Sequence, residues 1–182
     1  MAASRKPGLR RLLDALYGAS SNLAALFLAA IAAIVLMQII TRAMGLKISG
    51  LDDFAAWSMA ATVFLALPGT LAKGGHIRVL LILETLPARA ARILELVAAL
   101  TGLAVSLWAA WSVLRFVWTS FRLGDVTQGE LVMPLWIPQL SMAIGFVLLA
   151  VALLEQLIDA ISRLPSGTDD ADKDLRLNSE GL

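Results

Sequence analysis

Between Ala15 and Thr41 the chain carries no charged residue, and that stretch constrains the fold more than any other feature. An α-helix crosses the roughly 30 Å hydrocarbon core of a bilayer with about 20 apolar residues. A backbone in hydrocarbon has no water to bond, so a segment of this length must be helical. Three more apolar blocks repeat the pattern. They predict an all-α integral membrane protein, a four-transmembrane-helix bundle with helices at about 20–40, 54–72, 88–123 and 135–154. The charged share of 16% agrees, since soluble domains carry roughly a quarter.

The start of the chain is basic, with Arg5, Lys6, Arg10 and Arg11. A signal peptide would follow such a start with an apolar region of only roughly 7–15 residues. The block here is far longer, so it is expected to stay as the first membrane helix. Gly45 and Gly50 loosen the loop that follows. Asp52 and Asp53 precede the second helix, where either can cap it and favour its dipole; contact with a partner is the other use of the pair. Pro68 falls in that helix's last turns and is expected to kink or end it. The third block, Ala88–Leu123, is roughly 54 Å long as a helix, so it must tilt, bend or project from the membrane. Pro134 closes a polar loop, Trp136 stands at the mouth of the fourth helix, and Glu155 and Asp159 mark its exit. The tail at 165–182 is polar and is expected to be disordered, leaving 1–164 as the membrane domain.

The connector between helices 2 and 3 combines a Gly74–Gly75 break, the sole histidine His76, Lys73 and Arg78 with a short apolar run beginning at Ile77. That run is too short to span and too apolar for a solvated loop, so it is expected to lie at the membrane interface. Orientation follows from Lys and Arg: the N-terminus, connector and tail hold 4, 4 and 3, and the other two loops hold 2 and 2. By the positive-inside rule both termini and the connector face the cytoplasm.

Small residues recur at four-residue spacing in Ala25–Ala29–Ala33, Ala56–Ala60, Ala98–Gly102 and Ser141–Gly145, a pattern that lets membrane helices approach closely. Trp57, Trp108, Trp111, Trp118 and Trp136 are placed as an interfacial aromatic belt would be.

Ion-coupled or catalytic work inside a membrane needs an ionisable group near the midplane, and the helix centres hold only residues such as Asn22, Gln38, Thr62, Ser106 and Gln139. No catalytic, substrate-binding or metal-ligating residue is therefore assigned, and no cofactor. With 1 His and 0 Cys, thiolate sites and a pair of axial histidines are excluded within the chain. No basic patch interleaved with aromatics points to nucleic acid. His76 beside Lys73 and Arg78 is read as a binder of backbone or lipid headgroups. The residues left as a candidate partner or lipid interface are Asp52, Asp53, Trp57, Lys73, Gly75, His76, Ile77, Arg78, Pro134 and Trp136.

Several of these residues carry a resemblance. GGHIRV at Gly74–Val79, the LP at Leu86–Pro87, PLWIPQLSMAIGF at Pro134–Phe146 and the acidic–aromatic Asp52–Trp57 approach to helix 2 are similar to the small permease (Q) subunit of the tripartite ATP-independent periplasmic (TRAP) transporters. Where relatives often carry an acidic residue after HIRV, this chain has Leu80. The resemblance implies an accessory, non-enzymatic subunit in a bacterial inner membrane. Its implied partners are a large permease working as an elevator, which imports an organic acid with sodium, and a periplasmic binding protein. Membrane lipids complete the surroundings. Two other classes fit the bare sequence: a self-assembling small transporter or channel, and the membrane anchor of an enzyme complex.

Overall fold

A computed structural model describes residues 7–46, 48–72 and 87–162. Among these residues four helices are present, α1 (Pro7–Ala43), α2 (Leu51–Ala72), α3 (Ala88–Leu123) and α4 (Trp136–Ser162). All four are long and apolar enough to cross a membrane. The connector with Lys73, Gly75, His76, Ile77 and Arg78, and the tail at 165–182, lie outside the described residues.

The helices run further than the apolar blocks that announced them. The first begins at Pro7 rather than near Ser20, so Arg10, Arg11 and Asp14 are helical. The fourth continues through Glu155 and Asp159 to Ser162. Charge ends a membrane span without ending a helix, since Arg and Glu are good helix formers and Pro is favoured at a first helical position.

The second helix does not stop at Pro68. It continues to Ala72 with Pro68 fully buried. A helical proline leaves a carbonyl one turn earlier without its N–H partner and crowds it. Here that carbonyl is Phe64's, and both it and the next one, Leu65's, face neighbouring helices. The Ser20 hydroxyl of α1 donates to the Leu65 carbonyl at 2.6 Å, while the Phe64 carbonyl lies against Gly145 of α4. The position expected to kink or end the helix is thus a site of close packing.

Glycine fixes the helix ends. Gly45, at φ +71°, gives Gly45 N–H to the Arg42 carbonyl while Leu46 N–H reaches the Thr41 carbonyl at 2.8 Å. That is a Schellman stop, so Gly45 sets the loop rather than loosening it. Gly124, at φ +67°, ends α3 in a related left-handed turn, with Gly124 N–H and Asp125 N–H both on the Ser120 carbonyl.

The helices pack in the order α1–α2–α4–α3. In their apolar windows 28% of α2 and of α4 is buried, against 6% of α1 and 17% of α3, which makes α2 and α4 the inner pair. The α1–α2 seam is built on Ala24, Ala61 and Leu65, with Phe27 and Ala66 beside them. At Gly69 the two helices approach closely: an added methyl would sit 3.3 Å from the Tyr17 carbonyl and collide with the Ser21 hydroxyl. The α2–α4 seam is tighter still. A methyl on Gly145 would stand 2.7 Å from the Phe64 carbonyl carbon, and the Phe64 ring packs tilted against Phe146 with centroids 5.1 Å apart.

Of the four small-residue series, only Ser141–Gly145 supplies such an approach. Ala25, Ala29, Ala33, Ala56 and Ala98 are exposed. Gly102 meets only the Leu153 side chain, at 3.4 Å. The outer flank of α3 is openly apolar, with Trp108 70% and Trp111 64% exposed. A surface of that kind is covered by lipid or by a partner subunit.

Candidate functional site

At one end of the row the α1–α2 loop and the α3–α4 loop interlock. The second of these is folded on itself. Thr127 N–H donates to the Met133 carbonyl at 2.9 Å, and Leu135 N–H to the Asp125 carbonyl at 2.9 Å, around an isolated bridge between Val126 and Pro134. The buried Thr127 hydroxyl donates to the Leu131 carbonyl and accepts from Met133 N–H at 3.1 Å. The tip, Gly129–Leu131, is thereby held towards the start of α2.

Several contacts among the described residues join the loops. Gly50 N–H donates to Glu130 Oε2 at 2.9 Å. Leu131 N–H donates to Asp53 Oδ2 at 3.1 Å. The Asp53 carboxylate also sits directly on Gly129, whose absent Cβ would lie 2.5 Å from Asp53 Cγ. Gly50 has φ +85° and carries the Leu131 side chain over its Cα, so both its conformation and its lack of a side chain are used.

The position before α2 belongs to Gly50, so neither aspartate caps that helix from outside it. Asp52 and Asp53 lie in its first turn, where a negative charge complements the dipole. Their hydrogen bonds go to other elements. Asp53 takes the Leu131 amide, and Asp52 Oδ1 accepts from Gln38 Nε2 of α1 at 2.7 Å. Trp57, one turn inward, is half-buried and packs edge-on against Phe54 at 5.3 Å. Pro134 is exposed on the loop's bridge, and Trp136 opens α4 with its ring edge-on to Phe121 at 5.7 Å.

The structure therefore gathers Asp52, Asp53, Pro134 and Trp136 at one end of the molecule. Gly50, read from the sequence only as loosening its loop, joins them, and so do Thr127, Gly129, Glu130 and Leu131, which the sequence did not single out. The only signal pointing to these was a glycine with a nearby acid in each of two loops, a pattern ordinary in any polar connection.

The opposite end is also pinned. Tyr17 Oη of α1 donates to Glu155 Oε2 of α4 at 2.8 Å, and Gln156 Nε2 reaches the Leu71 carbonyl at 3.5 Å. Among the described residues no three His, Cys, Asp or Glu side chains are grouped to hold a metal ion. The carboxylates at the interlocked end spend oxygens on backbone and amide donors, an arrangement suited to holding loops in register rather than to proton transfer.

A family model described as tripartite ATP-independent periplasmic transporters, DctQ component, matches residues 31–163. The match takes in the end of α1, both interlocked loops and the whole of α2, α3 and α4. No curated protein and no solved structure matches the chain.

Proposed function

Because the chain belongs to the DctQ component family of the tripartite ATP-independent periplasmic transporters, we propose that it widens the fixed scaffold of a large elevator-type permease. The family is one of transporter components, which makes this chain an accessory subunit and a multi-pass membrane protein. The cargo in this reading is an organic acid moved with sodium ions, delivered by a periplasmic binding protein. The observation that carries the scaffold role is the charge-free interior of the spans. Leu96–Leu114 of α3 and Ala24–Met37 of α1 hold no ionisable residue. A site that strips the hydration from a carboxylate and a cation needs polar groups, because an unpartnered buried charge costs several kcal/mol or more.

Reconstitution tests the division of labour. This chain alone in proteoliposomes, with binding protein outside, is expected to give no sodium-driven uptake. Adding the large subunit brings uptake, and leaving this chain out weakens it. Saturable uptake by this chain alone would overturn the reading.

In this proposal both termini and the connector face the cytoplasm, which puts the interlocked loops in the periplasm; the support is the eleven-to-four distribution of Lys and Arg. The chain has 0 Cys, so single cysteines can be labelled without background. An impermeant maleimide on intact cells should modify Ser49→Cys and spare Thr85→Cys. The opposite pattern would invert the topology.

A further inference from the structure

Where α1 ends and α2 begins, the hairpin encloses an open cavity of about 410 Å³. Its lining is mixed: Gln38 and Arg42 from the last turns of α1, Leu46 and Ile48 from the loop, Leu51 and Asp52 from the first turn of α2. Arg42 and Asp52 therefore face one space as a cation and an anion. Gln38 Nε2 holds Asp52 Oδ1 at 2.7 Å, which engages one oxygen of a carboxylate that lines the cavity. The Arg42 guanidinium has no hydrogen bond or ion pair to another described residue.

The position of the cavity narrows its occupant. It lies at the end of an apolar span that runs to Ala43, the depth at which lipid headgroups sit. The last turns of α1 leading to it expose Leu36, Ile39 and Ile40, and Met44 just beyond, which acyl chains would cover. A volume of this size falls within the roughly 300–1,000 Å³ of ordinary ligand sites.

Charge then selects among headgroups. A purely anionic lipid would satisfy Arg42 but meet the Asp52 carboxylate unfavourably. A quaternary ammonium has no N–H to give that carboxylate. A phosphate carrying a primary ammonium satisfies both groups. We infer that this cavity binds the headgroup of a phosphatidylethanolamine, with Arg42 on the phosphate and Asp52 on the ammonium. The inference requires only that the chain spans a membrane and stands apart from its place in a transporter.

The test is native mass spectrometry of the full chain, delipidated and then titrated with phosphatidylethanolamine, phosphatidylglycerol or phosphatidylcholine of matched acyl chains. Wild type should retain the ethanolamine lipid best. Arg42→Gln should lose retention of all three. Asp52→Asn keeps an acceptor for Gln38 and should lose the preference for ethanolamine over choline, by about tenfold for one charge-assisted hydrogen bond. Both side chains are exposed, and unchanged thermal midpoints for the two variants would show that folding is not the cause. Equal retention of the ethanolamine lipid by wild type and both variants would overturn the inference. So would a wild-type preference for phosphatidylglycerol, or no lipid uptake at all, which would indicate a protein segment as the occupant.

Discussion

Replacing Gly145 by leucine is expected to leave no folded bundle, and replacing it by alanine to lower stability by about 1–3 kcal/mol. The cost is large because the obstacle is backbone. The added methyl meets the carbonyl of Phe64, 2.7 Å from its carbon, and a carbonyl cannot rotate away as a side-chain tip can. The carbonyl is also where Pro68 breaks the helical ladder of α2, so pushing α4 outward uncovers a polar group that hydrocarbon cannot satisfy. Gly18→Ala in α1 makes the same chemical change where nothing lies within 4 Å, and it should be neutral or slightly stabilising. Reversible unfolding of both variants in detergent checks this. Equal midpoints for Gly145→Ala and Gly18→Ala would show that the α2–α4 seam is loose.

Asp53→Ala should release the loop between α3 and α4. The lost contact is a hydrogen bond from Leu131 N–H to a charged acceptor, of a type worth about 1.5–3 kcal/mol. Local opening should therefore become roughly tenfold to a hundredfold more frequent, read as faster amide exchange at Leu131. Gly129→Ala attacks the same contact from the other side, since its methyl would displace the carboxylate. The two changes should give less than the sum of their separate effects when combined, because they remove one interaction. Exchange at Leu131 that stays at the wild-type rate in Asp53→Ala would mean the loop holds itself through Thr127 alone.

The four spans were legible because hydrocarbon imposes a requirement on composition that a run such as Ala15–Thr41 meets without help from the rest of the chain. What surrounds them was less so. Arg10 and Arg11, or Glu155 and Asp159, mark where the apolar blocks stop, but a helix consults only its own hydrogen bonds and continues. Pro68 reads as a kink or an end, and the sequence does not show that Ser20, 45 residues away along the chain, returns to bond Leu65, or that the Phe64 carbonyl meets Gly145. The interlocked loops were hidden for the same reason: Asp53 and Leu131 are separated by 78 residues, and nothing local in either segment announces the other. Small-residue spacing gave one true approach and several outward-facing alanines, because in an alanine-rich helix the spacing arises without a neighbour.

The order α1–α2–α4–α3 also has a mechanical side. Four helices in a square would be two helices wide. In this order the path from α1 to α3 runs through three interaxial steps of about 8–10 Å each, an upper bound of roughly 25–30 Å from the first axis to the last. In the proposed scaffold role, such a body attached along one edge would act as an outrigger: a lateral load from a moving neighbour would be opposed over a longer lever arm, and rocking in the membrane plane would require displacing more lipid. The same shape passes that load through α2 and α4 in series, so the outrigger is no stiffer than the contact between Phe64 and Gly145.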